Sequence, residues 1–407
     1  MLKTIASAAA VAVVTCLVTS QIRSLGFHLH YHRHLPGACA VVHRDTPGDN
    51  LGSEDFHVTS QGLAFITSGL YLPHMNASAA YNTFVQKHGM RGRILMFDFQ
   101  DKEQGAVELK IRQSSSSSNS FSVDSLHPHG ISVLEDPAKG EHLVYVVNHP
   151  HLQDEASLQP DAVEKFRFDP RAKELVHLKS ITSDMLRITN DVAVVAEDEF
   201  YISNFIHSSG RLKRVYEQML HRPWGSVLFY NGREFRTVAS QLATPNGMTM
   251  SRDNSHLYVA MSMPQQIHVF KRQNNNSLLP VQQFPVYTIP DNLHLHQDGG
   301  SVLAGCHPIP HRALAATQDP EVKAPSQVLE FPLSDNLLLV RESSDVQEDG
   351  EDDGEAVSVG GELREPRELL YDHGNLISAS SAAAVYQQQL LVGSLHDSLV
   401  VCQLPEH

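Results

Sequence analysis

Three features of the sequence predict an all-β chain folded as a six-bladed β-propeller around a central channel. Short apolar runs alternate with turn residues almost from end to end, and helical periodicity is nearly missing. Five residues of one form also recur six times, at intervals of tens of residues, the spacing of a repeat architecture. Each recurrence opens with two polar or small residues and then runs apolar, small or polar, apolar. They are Glu54-Asp55-Phe56-His57-Val58, His129-Gly130-Ile131-Ser132-Val133, Asn190-Asp191-Val192-Ala193-Val194, Asn246-Gly247-Met248-Thr249-Met250, Asp291-Asn292-Leu293-His294-Leu295 and Ser381-Ala382-Ala383-Ala384-Val385. In a propeller the first strand of each blade lines the channel, so the six openings are expected there. A pair of β-sandwiches would also accommodate the strands, but gives no reason for every repeat to open on polar residues.

Taken in order, the chain begins with an apolar, Ala/Val-rich run, Ile5 to Val18, behind Lys3. This has the composition of a signal h-region and is shorter than the ~20 residues of a comfortable membrane span. Residues 1–20 are therefore read as a signal peptide or a retained signal-anchor. That places the protein in the secretory pathway, secreted or tethered on the lumenal or extracellular side, with lipid or membrane association through this segment. Residues 21–38, which contain HLHYHRH (His28 to His34), are read as a polar, His-rich spacer. The propeller is expected over 39–407.

Within it GLAFITSGL, RILMFDF, HLVYVVNHP, EKFRFD, SVLFYNG, HLYVAMS, QIHVFKR, SVLAGCHP, QVLEFPL and QQLLVGSL read as strands. LKRVYEQML from Leu212 is the best helix candidate. The Ser-rich stretch 113–120 and the acidic run at about 344–362 read as solvated loops, the second an insertion that lengthens the last repeat. The acidic run also carries much of the formal charge of -15, a balance that argues against nucleic acid as a partner. Asn76 and Asn275 head glycosylation sequons. Of the four cysteines, Cys16 falls in the targeting segment, while Cys39 and Cys402 stand at the two ends of the β region, where a bond would tie the first blade to the last. Cys306 is then a free thiol, read as a small buried hydrophobe.

Neighbouring residues of a strand point opposite ways. First members of the openings can therefore gather at one point of the channel and second members at another. Glu54 and Asn190 with Asn246, Asp291 and Asn292 make a set of oxygen donors that suits calcium and is too hard for zinc. Asp55 and Asp191 with a main-chain carbonyl make a second, structural site. The bland reading is that Asn, Asp and Gly start strands because they make turns. For the proton chemistry of an ester or lactone carbonyl, His129 is expected as the base and His149 as the group orienting it, since imidazole titrates near neutrality.

The runs SEDFHVTSQGLAFITSGL, HPHGISVLED, VYVVNHP, TNDVAVV, PNGMTMS, LYVAMS, IHVFKR, PDN, GCHP and AAAVYQQQLLVGSLHDSLVVCQL resemble, in order, those of the serum paraoxonase/arylesterase family. The resemblance implies a six-bladed propeller with two calcium ions. Glu54, Asn190, Asn246, Asp291 and Asn292 would hold the catalytic ion, and Asp55, Asp191 and the main-chain oxygen of Ile131 the structural one. It puts His129 and His149 on the family's dyad and Cys39 and Cys402 on its disulfide. It implies hydrolysis of lactones and, secondarily, aryl esters. Where family members often carry aromatic residues at the pocket mouth, this chain is expected to have Leu72, Thr244 and Leu314, with Leu70 and Leu395 as apolar wall. A non-catalytic, membrane-anchored binding or chaperone protein of the same fold is the alternative. A gluconolactonase-type propeller is disfavoured by the cysteine pair.

Overall fold

The computed structural model describes residues 15, 19, 22–23, 25–42, 52–71, 78–113, 121–136, 139–150, 160–334 and 361–405. The signal or anchor expected over 1–20 lies almost wholly outside these residues, as do Leu72, Asn76 and nearly all of the acidic insertion. That insertion falls between the strands Ser326–Pro332 and Arg367–Asp372 of the fifth sheet and not in the last repeat. Among the described residues no helix is long and apolar enough to cross a membrane.

Six antiparallel sheets follow one another along the chain as the blades of a propeller. Their innermost strands are Phe56–Val58, Pro128–Asp136, Ile188–Ala196, Pro245–Met250, Ile289–Leu295 and Ser380–Tyr386. All six polar openings therefore start, or immediately precede, an innermost strand, as the repeat predicts. The runs read as strands from their alternation form second and third strands, such as Leu63–Ser68, His256–Met261 and Ser301–His307. Blade 2 has a fifth strand, Lys110–Gln113, added in parallel at its outer edge. Each blade buries both faces against its neighbours, so the core is divided into clusters that lie between blades. Phe65, Ile94 and Met96 meet Val144, Val146 and Phe166 between blades 1 and 2. Tyr258 and Val269 meet Val302, Cys306 and Phe331 between blades 4 and 5. Every large side chain buried in this way stabilises by about 1.5–3 kcal/mol.

The ring closes between its ends. The strand Cys39–Val41 pairs antiparallel with Val400–Gln403 as the outermost strand of blade 6, with Cys39 opposite Cys402, and the two cysteines are bonded. Cys306 is buried and free; burial pushes its thiol well above the usual range, with Asp291 and Glu368 adding to the shift.

Among the described residues three α-helices lie between strands of the β pattern. The candidate at Leu212 is a helix over Arg211–Met219. Two more, Ala79–His88 and Pro310–Gln318, are not evident from periodicity, because Tyr81 and Phe84 are the only buried residues of the first and Pro310, Ala313 and Ala316 those of the second. Local end signals are present for both. The Ser78 hydroxyl accepts the N–H of Tyr81, Gly89 closes the same helix at φ 57°, and Pro310 starts the other.

The His-rich segment lies against the ring. Phe27 stacks on His311 at 4.0 Å, and the Leu25 carbonyl accepts His311 N–H at 3.0 Å. Tyr31 stacks on Tyr371 at 4.9 Å, and Arg33 pairs with the fully buried Asp372 at 2.9 Å. His28, His30, His32 and His34 are exposed, as are Phe27 and Arg33 despite their contacts.

Candidate active site

In each blade the ladder between the innermost and second strands slips at the polar opening. Pro128 faces Asn148 but Ile131 faces Val146, and the same step of three against two separates Thr189 from Val192, Pro245 from Met248, Pro290 from Leu293 and Ser380 from Ala383. In blade 1, Glu54 N–H donates to the Thr67 carbonyl and Thr67 N–H donates to that of Asp55, so two residues again face one. This is a β-bulge, repeated six times around the axis. It frees the opening pair from the ladder and re-aims its side chains into the channel.

Glu54, Asn190, Asn246 and Asp291 line one cavity of about 260 Å³, together with His129 and His307. Asp55, Asp191 and Ile131 line another, of about 650 Å³, along the later residues of the same strands. Asn292, the second member of its pair, turns to the first group, where its amide donates to Glu54 Oε1 and to the Glu54 carbonyl, both at 3.0 Å. Ser381 faces the same carbonyl at 2.6 Å, so the sixth opening holds the glutamate in place by its backbone.

Four oxygens of the expected calcium set, Glu54 Oε2, Asn190 Oδ1, Asn246 Oδ1 and Asn292 Oδ1, are buried with no hydrogen-bond partner. Leaving each one so costs about 1–3 kcal/mol. The fifth donor, Asp291, accepts from His307 Nε2 at 2.9 Å. Burial raises the Glu54 carboxyl well above its ordinary range; Asp291 and Asp55 raise it further, while the Asn292 amide lowers it. Carboxylates and amides stripped of solvent and short of partners fit a hard divalent cation. Among the described residues no three His, Cys, Asp or Glu side chains form a metal-binding group, and three of the five expected donors are amides, which such a group does not include.

The second group is tied into the neighbouring blades. Asp55 Oδ2 accepts Ile131 N–H at 2.9 Å, and Asp191 Oδ2 accepts Met248 N–H at 2.6 Å. Asp55 Oδ1 has no hydrogen bond; His294 Nε2 lies 3.3 Å away and donates instead to the Phe56 carbonyl.

His129 and His149 meet through Nδ1 and Nε2 at 3.0 Å. His149 Nδ1 lies 2.9 Å from Asp161 Oδ1, and His129 Nε2 lies 3.2 Å from Asn190 Nδ2 and 3.6 Å from Glu54 Oε1. Burial, and after it the neighbouring His149 ring, lowers the His129 imidazole well below the usual histidine range; the main chain of Thr189 pulls the other way. The sequence reading missed Asp161 and His307. Neither lies in an opening, although the GCHP run containing His307 was itself visible.

Leu70, Leu314 and Leu395 line the cavity, joined by Ile188, Phe205, Val215, Met219, Met263 and Ile289. Thr244, expected at the mouth, is not among the lining residues. It sits in a turn at φ 49°, almost fully buried, where its hydroxyl accepts Met263 N–H at 3.0 Å, and Met263 takes the place at the wall. Phe205 supplies an aromatic ring that the sequence reading did not expect.

Residues 37–337 match the profile of the family described as Arylesterase. The chain belongs to the arylesterase family. It is 32% identical to serum paraoxonase/lactonase 3 of Rattus norvegicus over 355 residues, which cover 87% of this chain and 86% of that protein. It is 30% identical over 353 residues to the human protein of the same name, with 87% and 86% covered. Over 357 residues it is 29% identical to serum paraoxonase/arylesterase 2 of Bos taurus, covering 88% and 87%. The span 37–337 of this arylesterase-family chain includes Glu54, His129, His149, Asn190, Asn246, Asp291 and Asn292.

Proposed function

We propose that this chain hydrolyses lactones, with aryl esters as secondary substrates, in a calcium-dependent reaction at the floor of the apolar cavity. The observation carrying the reading is the set of four partnerless buried oxygens next to the His129–His149 pair. The names of the relatives, lactonase and arylesterase, agree with it in substrate class. Calcium bound by Glu54, Asn190, Asn246, Asp291 and Asn292 would supply Lewis-acid polarisation of the carbonyl and charge for the developing oxyanion. A second ion would be structural, held by Asp55, Asp191 and the main chain at Ile131.

The side chains do the rest. Leu70, Leu314 and Leu395 hold the apolar part of the substrate and exclude bulk water. His129 Nε2 removes a proton from the attacking water as its oxygen bonds to the carbonyl carbon. When the ring C–O bond breaks, the same nitrogen returns the proton to the leaving oxygen. Burial keeps His129 neutral, and so able to accept a proton, at pH values where an ordinary histidine is partly charged.

Hydrolysis of an aliphatic lactone by the purified protein, measured with calcium and with chelator, tests the reading. Turnover should require calcium, and His129→Gln should lower kcat by about 10² or more. No turnover with calcium present would leave the non-catalytic binding role. We also assign the protein to the secretory route. The Cys39–Cys402 bond suits an oxidising compartment, and Asn275 is exposed in the turn after the strand Gln266–Arg272, where a glycan would have room.

A further inference from the structure

We infer that Asp161 is a positioning residue that fixes the tautomers of both histidines and so leaves His129 Nε2 bare toward the channel. The inference rests on the proposed hydrolysis for its kinetic consequence, but its geometry stands alone. Asp161 lies just ahead of the strand Ala162–Asp169, with its side chain 13% exposed. One oxygen, Oδ2, accepts both the N–H and the hydroxyl of Thr189, at 2.7 and 2.8 Å. The other, Oδ1, is thereby turned to His149 Nδ1 at 2.9 Å.

A carboxylate only accepts, so His149 Nδ1 must carry the hydrogen and His149 Nε2 must be the acceptor. His129 Nδ1, 3.0 Å from that acceptor, must then donate. The remaining nitrogen, His129 Nε2, keeps its lone pair, and it faces the Asn190 amide and Glu54 at the channel floor. Thr189 directly precedes Asn190 on the innermost strand of blade 3. One stretch of backbone therefore anchors both the end of the relay and an oxygen donor.

Exchanging the carboxylate for an amide should reverse the whole chain. In Asp161→Asn the two Thr189 donors hold the amide oxygen, so the amide nitrogen must face His149. Its N–H forces His149 Nδ1 to accept, His149 Nε2 to donate, His129 Nδ1 to accept and His129 Nε2 to carry a hydrogen. The base is then capped. Asp161→Ala imposes no direction on the relay. We therefore expect Asp161→Asn to lower kcat for a lactone by about 10²–10⁴, more than Asp161→Ala, with KM and bound calcium near wild-type values. A purely structural aspartate gives the opposite order, because Asn preserves its shape and Ala does not. Kinetics of both variants, with ¹⁵N-histidine NMR of the wild type and Asp161→Asn, make the test. Protonated His149 Nδ1 and bare His129 Nε2 in the wild type, reversed in the variant, are the expected spectra. An Asn variant as active as the Ala variant, or a wild type with bare His149 Nδ1, overturns the inference. A wild type inert toward lactones would sink the proposed function, while the spectra would still decide the tautomers.

Discussion

Glu54 and Asp191 sit 1% and 3% exposed in the two cavities of the channel, each close to other carboxylates. Burial raises both well above the ordinary carboxylate range, and Asp55 and Asp291 add to each shift. A carboxyl raised in the fold stabilises while it holds its proton; that contribution is lost as pH climbs from the unfolded value through the folded one. His129 shifts the other way, and its contribution is complete above the unfolded histidine value of about 6.5. The His129 effect is common to both forms, so the stability gap between calcium-loaded and chelator-treated protein should widen as pH rises above the ordinary carboxylate value of about 4, because the ion offsets the charge the raised carboxyls resist. Urea unfolding across that pH range, with and without calcium, checks this; parallel curves would contradict it. His129 and His149 were legible at this scale, since each sits at the end of a recognisable strand. Asp161 and His307 were not, because each meets its partner, His149 or Asp291, across neighbouring strands of one blade in a register that alternation does not encode.

The repeated bulge requires close approach between neighbouring innermost strands, and glycine supplies it. An ideal Cβ at Gly247 would stand 2.4 Å from the Asn292 Cα and 2.6 Å from the Asp291 carbonyl, both backbone atoms with no rotamer to relieve the clash. One at Gly130 would stand 2.5 Å from the Asp191 Cα. Gly247→Ala should therefore destabilise by about 3 kcal/mol or more, at the upper end of overpacking costs, and displace Asn292 from Glu54. Denaturant unfolding reads the first effect, and calcium affinity the second. From sequence, Gly247 and Gly130 pass for turn-formers; their partners lie 45 and 61 positions further on, at Asn292 and Asp191. The bulge was also invisible. Alternation alone sends consecutive side chains to opposite faces, which assigns Asp55 and Asp191 correctly but misplaces Asn292. Residues 21–38 read as a spacer from their histidines, and Phe27, Tyr31 and Arg33 dock this segment on the ring, one ring or ion pair each. Phe27 in turn rests on the helix Pro310–Gln318, which carries Leu314 to the cavity wall.

Across the whole molecule, clusters between blades stabilise the ring, and closure is left to the pairing of Cys39–Val41 with Val400–Gln403. The Cys39–Cys402 bond spans a separation of 363 residues. Chain-entropy loss in the unfolded state on closing so long a loop stabilises by at most about 6 kcal/mol. Cys39→Ser with Cys402→Ser should lower unfolding free energy by several kcal/mol, up to that bound, and free the first strand to peel away. Urea midpoints of the oxidised protein and the double variant would measure it. Unchanged midpoints would mean that the strand pairing alone closes the ring.

The sequence by itself determined the β class, the six repeats, the pair of cysteines at the ends and most of the residues at the channel floor. All of these are written as local patterns, in alternation, turn chemistry and a recurring polar opening. Tertiary structure decided the bulge that re-aims each opening, the turn of Asn292 toward Glu54, the withdrawal of Thr244 behind Met263, the approach of Asp161 to His149 and the docking of the His-rich segment. Each of these depends on a contact made within a blade or between blades once the strands have paired. Such contacts join residues 12 positions apart, as for Asp161 and His149, or 238 apart, as for Asn292 and Glu54, and leave no period in the chain.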